Sequence, residues 1–330
     1  METNQLQQQL FNYLKEQLPA HLSMVDELMD LLDLSADSVY RRIRGEKPIT
    51  LAEMKKICGH YHLSIDQLLQ LENESVLFSA PGLNGAALSM PDYLRKVLGQ
   101  LKYFNSFKKP QLLYICKDLP IWDFYLFPAL AAFKTFFWAK TINNEPELRN
   151  KQFSMGEFAY PECFAIGQQM HDEQSRIPST EIWNHETFNS TINQIAFYRD
   201  SGTFKSSAEL ETVILSLHQT MDHLQLQADK GQKFMPGATE VSYKEAIHFY
   251  VNDLIIGSNT GILNLDGQKM TMITYSGLSY LITHDKRFSD KSAEFFNTMT
   301  GRSTLISKTG ERDRNRYFNA IREQVDALRK

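Results

Sequence analysis

The apolar residues of the first 72 positions recur at helical spacing, with cap and stop signals between them. The first apolar stripe consists of Leu6, Leu10, Phe11, Leu14 and Leu18. Pro19 ends this stripe, because proline cannot continue a helix. Cap candidates, whose side-chain oxygens can accept from the unpaired amides of a first helical turn, are Ser23, Ser35, Thr50 and Ser64. Thr50 with Glu53, and Ser64 with Gln67, have capping-box spacing. These signals predict five short helices, at 3–18, 24–32, 36–44, 51–60 and 65–71.

The same pattern predicts one small hydrophobic core shared by these helices. Apolar residues on the inward faces recur every three or four positions, as expected of short amphipathic helices that pack together. The residues expected to close this core are Met24, Leu28, Leu31, Leu34, Val39, Ile43, Leu51, Met54, Ile57, Leu63 and Leu68.

The second and third predicted helices have the spacing of a helix-turn-helix. Only Asp33, Leu34 and Ser35 join them, with Leu34 as the buried turn residue, and Gly45 ends the following helix. With the closing segments YRRIRGEKPITLAEM and HLSIDQLL, residues 1–72 resemble the lambda-repressor-like (XRE-type) helix-turn-helix family. That family usually has glycine where this sequence has Asp33, a residue that tolerates left-handed backbone geometry. The resemblance implies an all-α, five-helix DNA-binding domain.

The resemblance also implies which residues face DNA. Carried over by position, Ala36, Asp37, Ser38 and Arg41 lie on the groove side of the third helix. Arg41 is the candidate for a guanine contact, because its fork matches two acceptors on that base edge, and Asp37 can accept from a cytosine amino group. Flanking residues and nearby lysines would contact the sugar–phosphate backbone. The complete predicted DNA-binding set is Ala36, Asp37, Ser38, Tyr40, Arg41, Arg44, Lys47, Lys55 and Lys56.

The charge distribution bears on this prediction in two ways. Residues 1–72 contain seven Lys or Arg against eleven Asp or Glu, and this net charge of -4 opposes nonspecific attraction to phosphates. However, residues 41–56 hold six cations against Glu46 and Glu53, whereas other acidic residues crowd the second helix. We therefore expect all six cations, Arg42 included, to lie where a duplex backbone would be. The alternative is a module with a solvated surface that binds protein.

The rest of the chain indicates a second, larger domain. Residues 73–91 are rich in small and turn-forming residues, which predicts a linker with one strand at 76–79. Residues 92–330 mix helical and strand patterns and predict an α/β (α+β) domain with an antiparallel meander near its C-terminal end. The predicted elements are a helix at 92–103, a strand at 111–117, a helix over 121–138 kinked near Pro128, helices at 179–200 and 206–230, the meander at 250–283, a helix at 288–299, a strand at 304–307 and a helix at 311–329.

Candidate catalytic motifs in the larger domain are incomplete. His171-Asp172 and His284-Asp285 suggest a metal phosphohydrolase, but no further ligands can be assigned to them. Lys308-Thr309-Gly310 matches a β-lactamase motif, yet the Ser-x-x-Lys segment that this motif requires, at 106–109, is followed at once by proline, where its helix should continue. The sequence contains no Walker loop or Rossmann fingerprint. We therefore expect no catalytic residue, metal or cofactor, and a protein that is not an enzyme.

Composition favours a cytoplasmic protein of ordinary globular type. The chain is 42% hydrophobic and 22% charged, and its start lacks the cationic and apolar regions of a signal peptide. The most apolar window, 121–138, contains Asp123, Pro128 and Lys134, so it reads as buried core rather than a membrane span. Three cysteines far apart suit reduced thiols.

These observations together predict a transcription regulator. Residues 1–72 would bind double-stranded DNA, residues 73–91 would link the domains, and residues 92–330 would form a sensor and/or dimerisation domain. A homodimer is expected because two DNA-binding domains in one dimer can bind the two half-sites of an operator. The effector would be a small molecule or a protein, and the aromatic block at 121–138 could supply an apolar pocket for it. Two alternatives stay open: a hydrolase-like enzyme with an N-terminal docking module, and a protein-interaction scaffold.

Overall fold

The structure is a computed structural model of the 330-residue chain. It describes residues 2–18, 22–61, 63, 75–80, 89–238, 246–254 and 257–330. The predicted fifth helix at 65–71, with its cap Ser64 and core residue Leu68, lies outside the described residues. A five-helix arrangement is therefore not confirmed.

The N-terminal region contains four described helices whose bounds follow the cap signals. They are α1 (Glu2–Gln17), α2 (Met24–Leu32), α3 (Ala36–Ile43) and α4 (Leu51–Tyr61). Ser23 accepts from the Asp26 amide at the start of α2, and Ser35 accepts from the Ser38 amide at the start of α3. At the start of α4 the Glu53 amide donates to Thr50 Oγ1 (3.2 Å), while the Thr50 amide donates to Glu53 Oε2 (2.9 Å). The capping predictions within the described residues are confirmed.

One small core holds these helices together, and one predicted member is wrong. The buried residues are Leu10, Phe11, Leu14, Leu28, Leu32, Val39 and Ile57. Leu51, in contrast, is 87% exposed. It is the first residue of α4 and lies one helical turn before the exposed Lys55, on the solvent side of the helix, while Met54 and Ile57 face inward.

The larger region is built on a mixed seven-stranded sheet with the order β6-β5-β4-β1-β2-β3-β7. The strands are β1 (Pro110–Cys116), β2 (Ser179–Trp183), β3 (Ile247–Val251), β4 (Thr260–Leu265), β5 (Gln268–Ser276), β6 (Ser279–Thr283) and β7 (Thr304–Leu305). The predicted strand at 111–117 is β1, which lies between β2 and β4. β4, β5 and β6 form an antiparallel meander, as predicted. However, Tyr250 belongs to β3, which pairs in parallel with β2 and not with β4.

The described residues of this region also form seven α-helices. They are α5 (Met90–Asn105), α6 (Pro128–Phe137), α7 (Pro161–Ser175), α8 (Asn189–Asp200), α9 (Ser207–Lys230), α10 (Lys286–Thr300) and α11 (Glu311–Asp326). The helix predicted over 179–200 is wrong in its first part, which is β2. Nearly every residue of β2 is buried, including the polar Glu181, so the strand lacks the alternation of apolar and polar residues expected of a half-exposed strand. The Glu181 carboxylate accepts hydrogen bonds from Ser179 and Trp183.

The aromatic block also differs from the predicted single kinked helix. A 3-10 turn at Ile121–Tyr125 is separated from α6, which Pro128 begins at its first helical position. A π-helical turn, Trp138–Ile142, follows α6 directly. Helix α7 was not predicted. Its apolar and polar residues are mixed around the helix because Gly167, His171 and other small or polar side chains are buried with the core.

The two sheet faces are covered differently. On one face α10 packs Phe296 and Met299 over Ile115, Ile182 and Ile262, while the main core lies on the other face beneath the remaining helices.

The short segment 75–80 reaches the edge of this sheet. Ser79 forms an isolated antiparallel bridge with Ile282 of β6, and Phe78 packs edge-to-face against Phe288. The strand predicted at 76–79 is thus a single bridge.

Within the described residues, no helix is long and apolar enough to cross a membrane.

Candidate nucleic-acid interface

The turn between α2 and α3 has helix-turn-helix geometry. Asp33 adopts left-handed backbone angles (φ 55°, ψ 55°), and its amide donates to the Met29 carbonyl. The Leu34 amide donates to the same carbonyl (3.1 Å), and the Leu34 side chain packs against the small core. Asp33 therefore takes the conformation that glycine often adopts after a helix, as the sequence indicated.

Helix α3 has one buried and one exposed face. Val39 and Arg42 are buried, while Asp37, Tyr40, Arg41 and Arg44 are exposed at the spacing of one helix face. The other two predicted residues, Ala36 and Ser38, are half-buried, and Ser38 is hydrogen-bonded to Ser35. The structure thus groups Tyr40 and Arg44 with Asp37 and Arg41. Contacts of these side chains with bases or phosphates remain predictions.

A carboxylate lies between the two exposed arginines of this face. Arg44 donates to both oxygens of Glu46 (Nε–Oε1 2.6 Å, Nη2–Oε2 3.0 Å), and Arg41 Nε is 3.9 Å from Oε2. The hydrogen bond from Arg44 lowers the pKa of the Glu46 carboxyl. All three side chains are about half exposed. A phosphate at this surface would compete with Glu46 for the same guanidinium groups.

The three predicted lysine contacts are solvent-exposed. Lys47 follows α3, and Lys55 and Lys56 are adjacent on α4. Within the described part of the chain none of them forms an ion pair, so their charges are available to a polyanion.

Arg42 is a correction to the predicted cation cluster. It is only 3% exposed, its Nη2 donates to Glu53 Oε1 (2.6 Å), and its Nη1 donates to the Ser38 carbonyl (3.0 Å). Position 42 lies on the inner face of α3 beside Val39, so its charge is neutralised internally. Burial alone would raise the pKa of Glu53, but hydrogen bonds from Arg42 and the Thr50 amide lower it. Five of the six cations therefore remain at the surface.

Gln7 is a positioning residue that the sequence reasoning missed. Its amide nitrogen donates to the carbonyls of Arg42 (2.6 Å) and Lys47 (2.8 Å), and its oxygen accepts from the Ile49 amide (2.9 Å). These bonds fix the turn after α3 to α1. The available signal was spacing: position 7 falls on the apolar stripe of Leu10, Phe11 and Leu14, so its polar side chain is directed inward.

The residues of the rival catalytic motifs lie at three places in the larger region. His171 is buried with Nε2 3.8 Å from Asp123, and burial lowers the pKa of His171 to about 3 and raises that of Asp123. Asp285 caps α10 by accepting from the Phe288 amide. Lys308 and Gly310 have left-handed angles in the turn before α11. Among the described residues no group of three or more His, Cys, Asp or Glu could hold a metal ion.

Part of the aromatic block does line a cavity. Tyr125, Phe133 and Phe136 are buried in the main core. In the larger region, called the sheet domain below, the aromatic residues of the block that line a cavity of about 480 Å³ are Trp122, Phe124, Phe137 and Trp138.

The comparison with known families concerns the N-terminal part. Residues 8–93 match the BetR domain family. BetR is a helix-turn-helix-type DNA-binding domain, in agreement with the turn and the exposed face of α3. The XRE-type assignment is not confirmed. The BetR match runs beyond the predicted boundary at residue 72 and ends within α5. No curated protein and no solved structure matches this chain.

Proposed function

We propose that this protein is a sequence-specific transcription regulator in which α3 enters the major groove and the sheet domain receives a signal and pairs two copies. The observation that carries the proposal is the BetR match over a helix-turn-helix whose third helix exposes Asp37, Tyr40, Arg41 and Arg44. A helix of this kind presents base-reading side chains from one face while its buried face anchors it to the domain.

The exposed residues have separate roles in this proposal. Arg41, whose contact with Glu46 is longer than that of Arg44, reads a guanine through its two-donor fork. Arg44 exchanges Glu46 for a phosphate, while Lys47, Lys55 and Lys56 hold the backbone without reading sequence. Gln7 and the Arg42–Glu53 pair keep α3 and α4 in register beneath this surface.

Two copies acting together account for specificity that one small reader lacks. A dimer places two α3 helices on half-sites about one helical turn of DNA apart, and the sheet domain provides the pairing surface. In this role the sheet domain carries out no catalytic step. The protein acts in the cytoplasm, beside the DNA that it regulates.

The first test is a selection of bound duplexes from random DNA with the full chain. A motif with two related half-sites supports a dimeric reader, whereas no enrichment and no duplex binding at low salt would favour a protein-interaction scaffold. On the selected site, Arg41→Ala should cost about 1–3 kcal/mol and relax preference at one base position. Lys55→Ala, the matched control, should weaken all sequences similarly and reduce the salt slope by about 1. Identical behaviour of the two variants across a site library would contradict the assigned roles.

A further inference from the structure

The cavity of about 480 Å³ lies between the sheet and its covering helices. Its floor is the face of β1, β4 and β5 that carries Leu112, Tyr114, Gly261, Leu263 and Met272. Helix α5 contributes Tyr93, Val97 and Gln100 to the opposite wall, and α6 contributes Lys134 and Phe137. This volume is in the range of small-molecule sites, and the lining combines apolar and aromatic side chains with polar and charged ones.

A glycine opens the floor of the cavity. Gly261 is the register partner of Tyr114, and an added Cβ there would lie 3.5 Å from Tyr114 Cδ2, which is an ordinary contact. The backbone at Gly261 therefore accepts a side chain, and the position is one at which the cavity can be filled by substitution.

Lys134 is the buried cation of this cavity. Only 2% of the residue is exposed, and Nζ donates to Gln194 Oε1 (2.6 Å) and Thr191 Oγ1 (3.3 Å). Nζ also lies 4.0 Å from the ring centre of Phe124 and 5.0 Å from that of Trp138. An ammonium has three donors, and within the described residues Lys134 forms no ion pair. A buried charge that is hydrogen-bonded only to neutral groups is costly, even with the charge of Asp118 on the same cavity, so an anion bound directly to Lys134 would be stabilised.

We propose that the cavity binds a small amphipathic anion: an aromatic or short acyl body against the aromatic wall, with one acidic group on Lys134. The acidic group would meet Lys134 near the carboxyl end of β1, where Lys117 and Asp118 line the same cavity. The crevice beyond the carboxyl ends of parallel strands is where α/β folds bind ligands. A body without the acid would fill the cavity but leave the ammonium without a charge partner.

The BetR match extends along the sequence into α5, a helix that lines the cavity. The BetR match ends at residue 93, so Tyr93 belongs to the match and also lines the cavity. Tyr280 on β6 donates to Gln100 Oε1 (2.9 Å) across the cavity wall, and Ser79 forms its bridge on the same strand. A ligand bound in the cavity would therefore contact residues that belong to, or adjoin, the segment matched to the DNA-binding domain. This regulatory consequence rests on the proposed function, whereas binding of the anion does not.

The test uses two fluorescent probes on the full chain: 8-anilino-1-naphthalenesulfonate, an amphipathic anion, and N-phenyl-1-naphthylamine, its neutral analogue. Lys134→Met should weaken the sulfonate by about thirtyfold or more, because a buried charge loses its partner, and should leave the neutral probe close to wild type. Lys102→Met, at an exposed lysine of α5 that does not line the cavity, is the matched control and should leave both affinities nearly unchanged. Equal sulfonate affinity of wild type and Lys134→Met would overturn the proposal.

The pH dependence gives a second readout. Burial lowers the pKa of Lys134 to about 7, although the negative charge of Asp118 acts to raise it. Sulfonate affinity should therefore fall about tenfold per pH unit above 7, as Lys134 loses its proton, while the neutral probe shows no trend. The other titratable groups on the cavity are Lys117, Asp118, Tyr93, Tyr114, Tyr275 and Tyr280. Burial raises the pKa of Asp118, so Asp118→Asn is included, and the fall should persist in that variant. A flat sulfonate profile would overturn the role of Lys134.

Filling the cavity separates this site from other probe sites. Gly261→Phe should abolish binding of both probes while circular dichroism shows a folded chain; probe binding that survives in the folded variant would overturn the location. If this variant does not fold, the Lys134→Met and pH results decide. If the sulfonate binds through Lys134 but leaves the affinity for duplex DNA unchanged, the proposed link to DNA binding is wrong, while the anion site itself still stands. Absence of duplex binding with intact probe binding would instead overturn the proposed function.

Discussion

The N-terminal helical region and the sheet domain are stabilised by different kinds of contact. The N-terminal core is small, and polar side chains join its helices: Gln7 ties α1 to the turn after α3, and Arg42–Glu53 ties α3 to α4. The sheet domain is held by a large aromatic core, in which Phe133 contacts the rings of Phe153 and Phe204. A region with little apolar surface to bury depends on a few specific polar bonds, whereas a larger one depends on filled volume.

The largest expected effect is that of a cavity in the aromatic core. Phe133→Ala should destabilise the sheet domain by about 3–5 kcal/mol, because Phe133 is fully buried and its removal leaves a void. Urea unfolding of the full chain measures the loss, and hydrogen exchange locates it in the sheet domain. Phe197→Ala, at a position 61% exposed, is the control and should change stability little. Equal losses from the two variants would show that volume is not what stabilises this domain.

The next effect concerns the buried ion pair of the N-terminal region. Glu53→Ala should cost about 3 kcal/mol, because it leaves Arg42 buried without its partner and also removes the capping box of α4. Hydrogen exchange of peptides from residues 36–61 in the full chain measures it, and peptides of β2 should keep their protection.

Glu46→Ala is the matched control for that change. Glu46 also pairs with arginine, but at the solvent-exposed surface, so exchange in α3 and α4 should stay near wild type. If both variants loosen α3 and α4 alike, burial of the pair does not matter and the contrast between the two regions fails.

The smallest effect compares the same local signal in both regions. Ser35 caps α3 and Ser206 caps α9, each by accepting from the amide three residues on. Ser35→Ala and Ser206→Ala should each cost about 1 kcal/mol, because a cap acts on its own helix. Exchange at the first turns of α3 and α9 measures this. A much larger loss of stability for Ser35→Ala than for Ser206→Ala would mean that removing one cap destabilises the whole N-terminal region and not only its own helix.

Much of the candidate site followed from local sequence. The caps Ser23, Ser35 and Thr50, and the left-handed Asp33, are where the sequence placed them. Such signals act within one helical turn, so a single stretch of chain contains all the information needed. Strand β1 and the meander β4–β6 were predictable for a related reason, because strand patterns separated by short turns pair with their neighbours.

What the sequence alone did not determine involves partners distant along the chain. Arg42 looked like a surface cation until α4 placed Glu53 beside it, and Gln7 acquired its role only when α1 packed against the turn after α3. In the sheet domain, the local pattern of β2 predicts a helix, because its buried Glu181 obtains its hydrogen bonds only within the folded core. The cavity around Lys134 likewise exists only where α5, α6 and the sheet meet. Composition and spacing decide which helices and turns can form, but whether a charge is buried, paired or open to a ligand is decided by the tertiary structure, because the dielectric environment and the partner both come from distant residues.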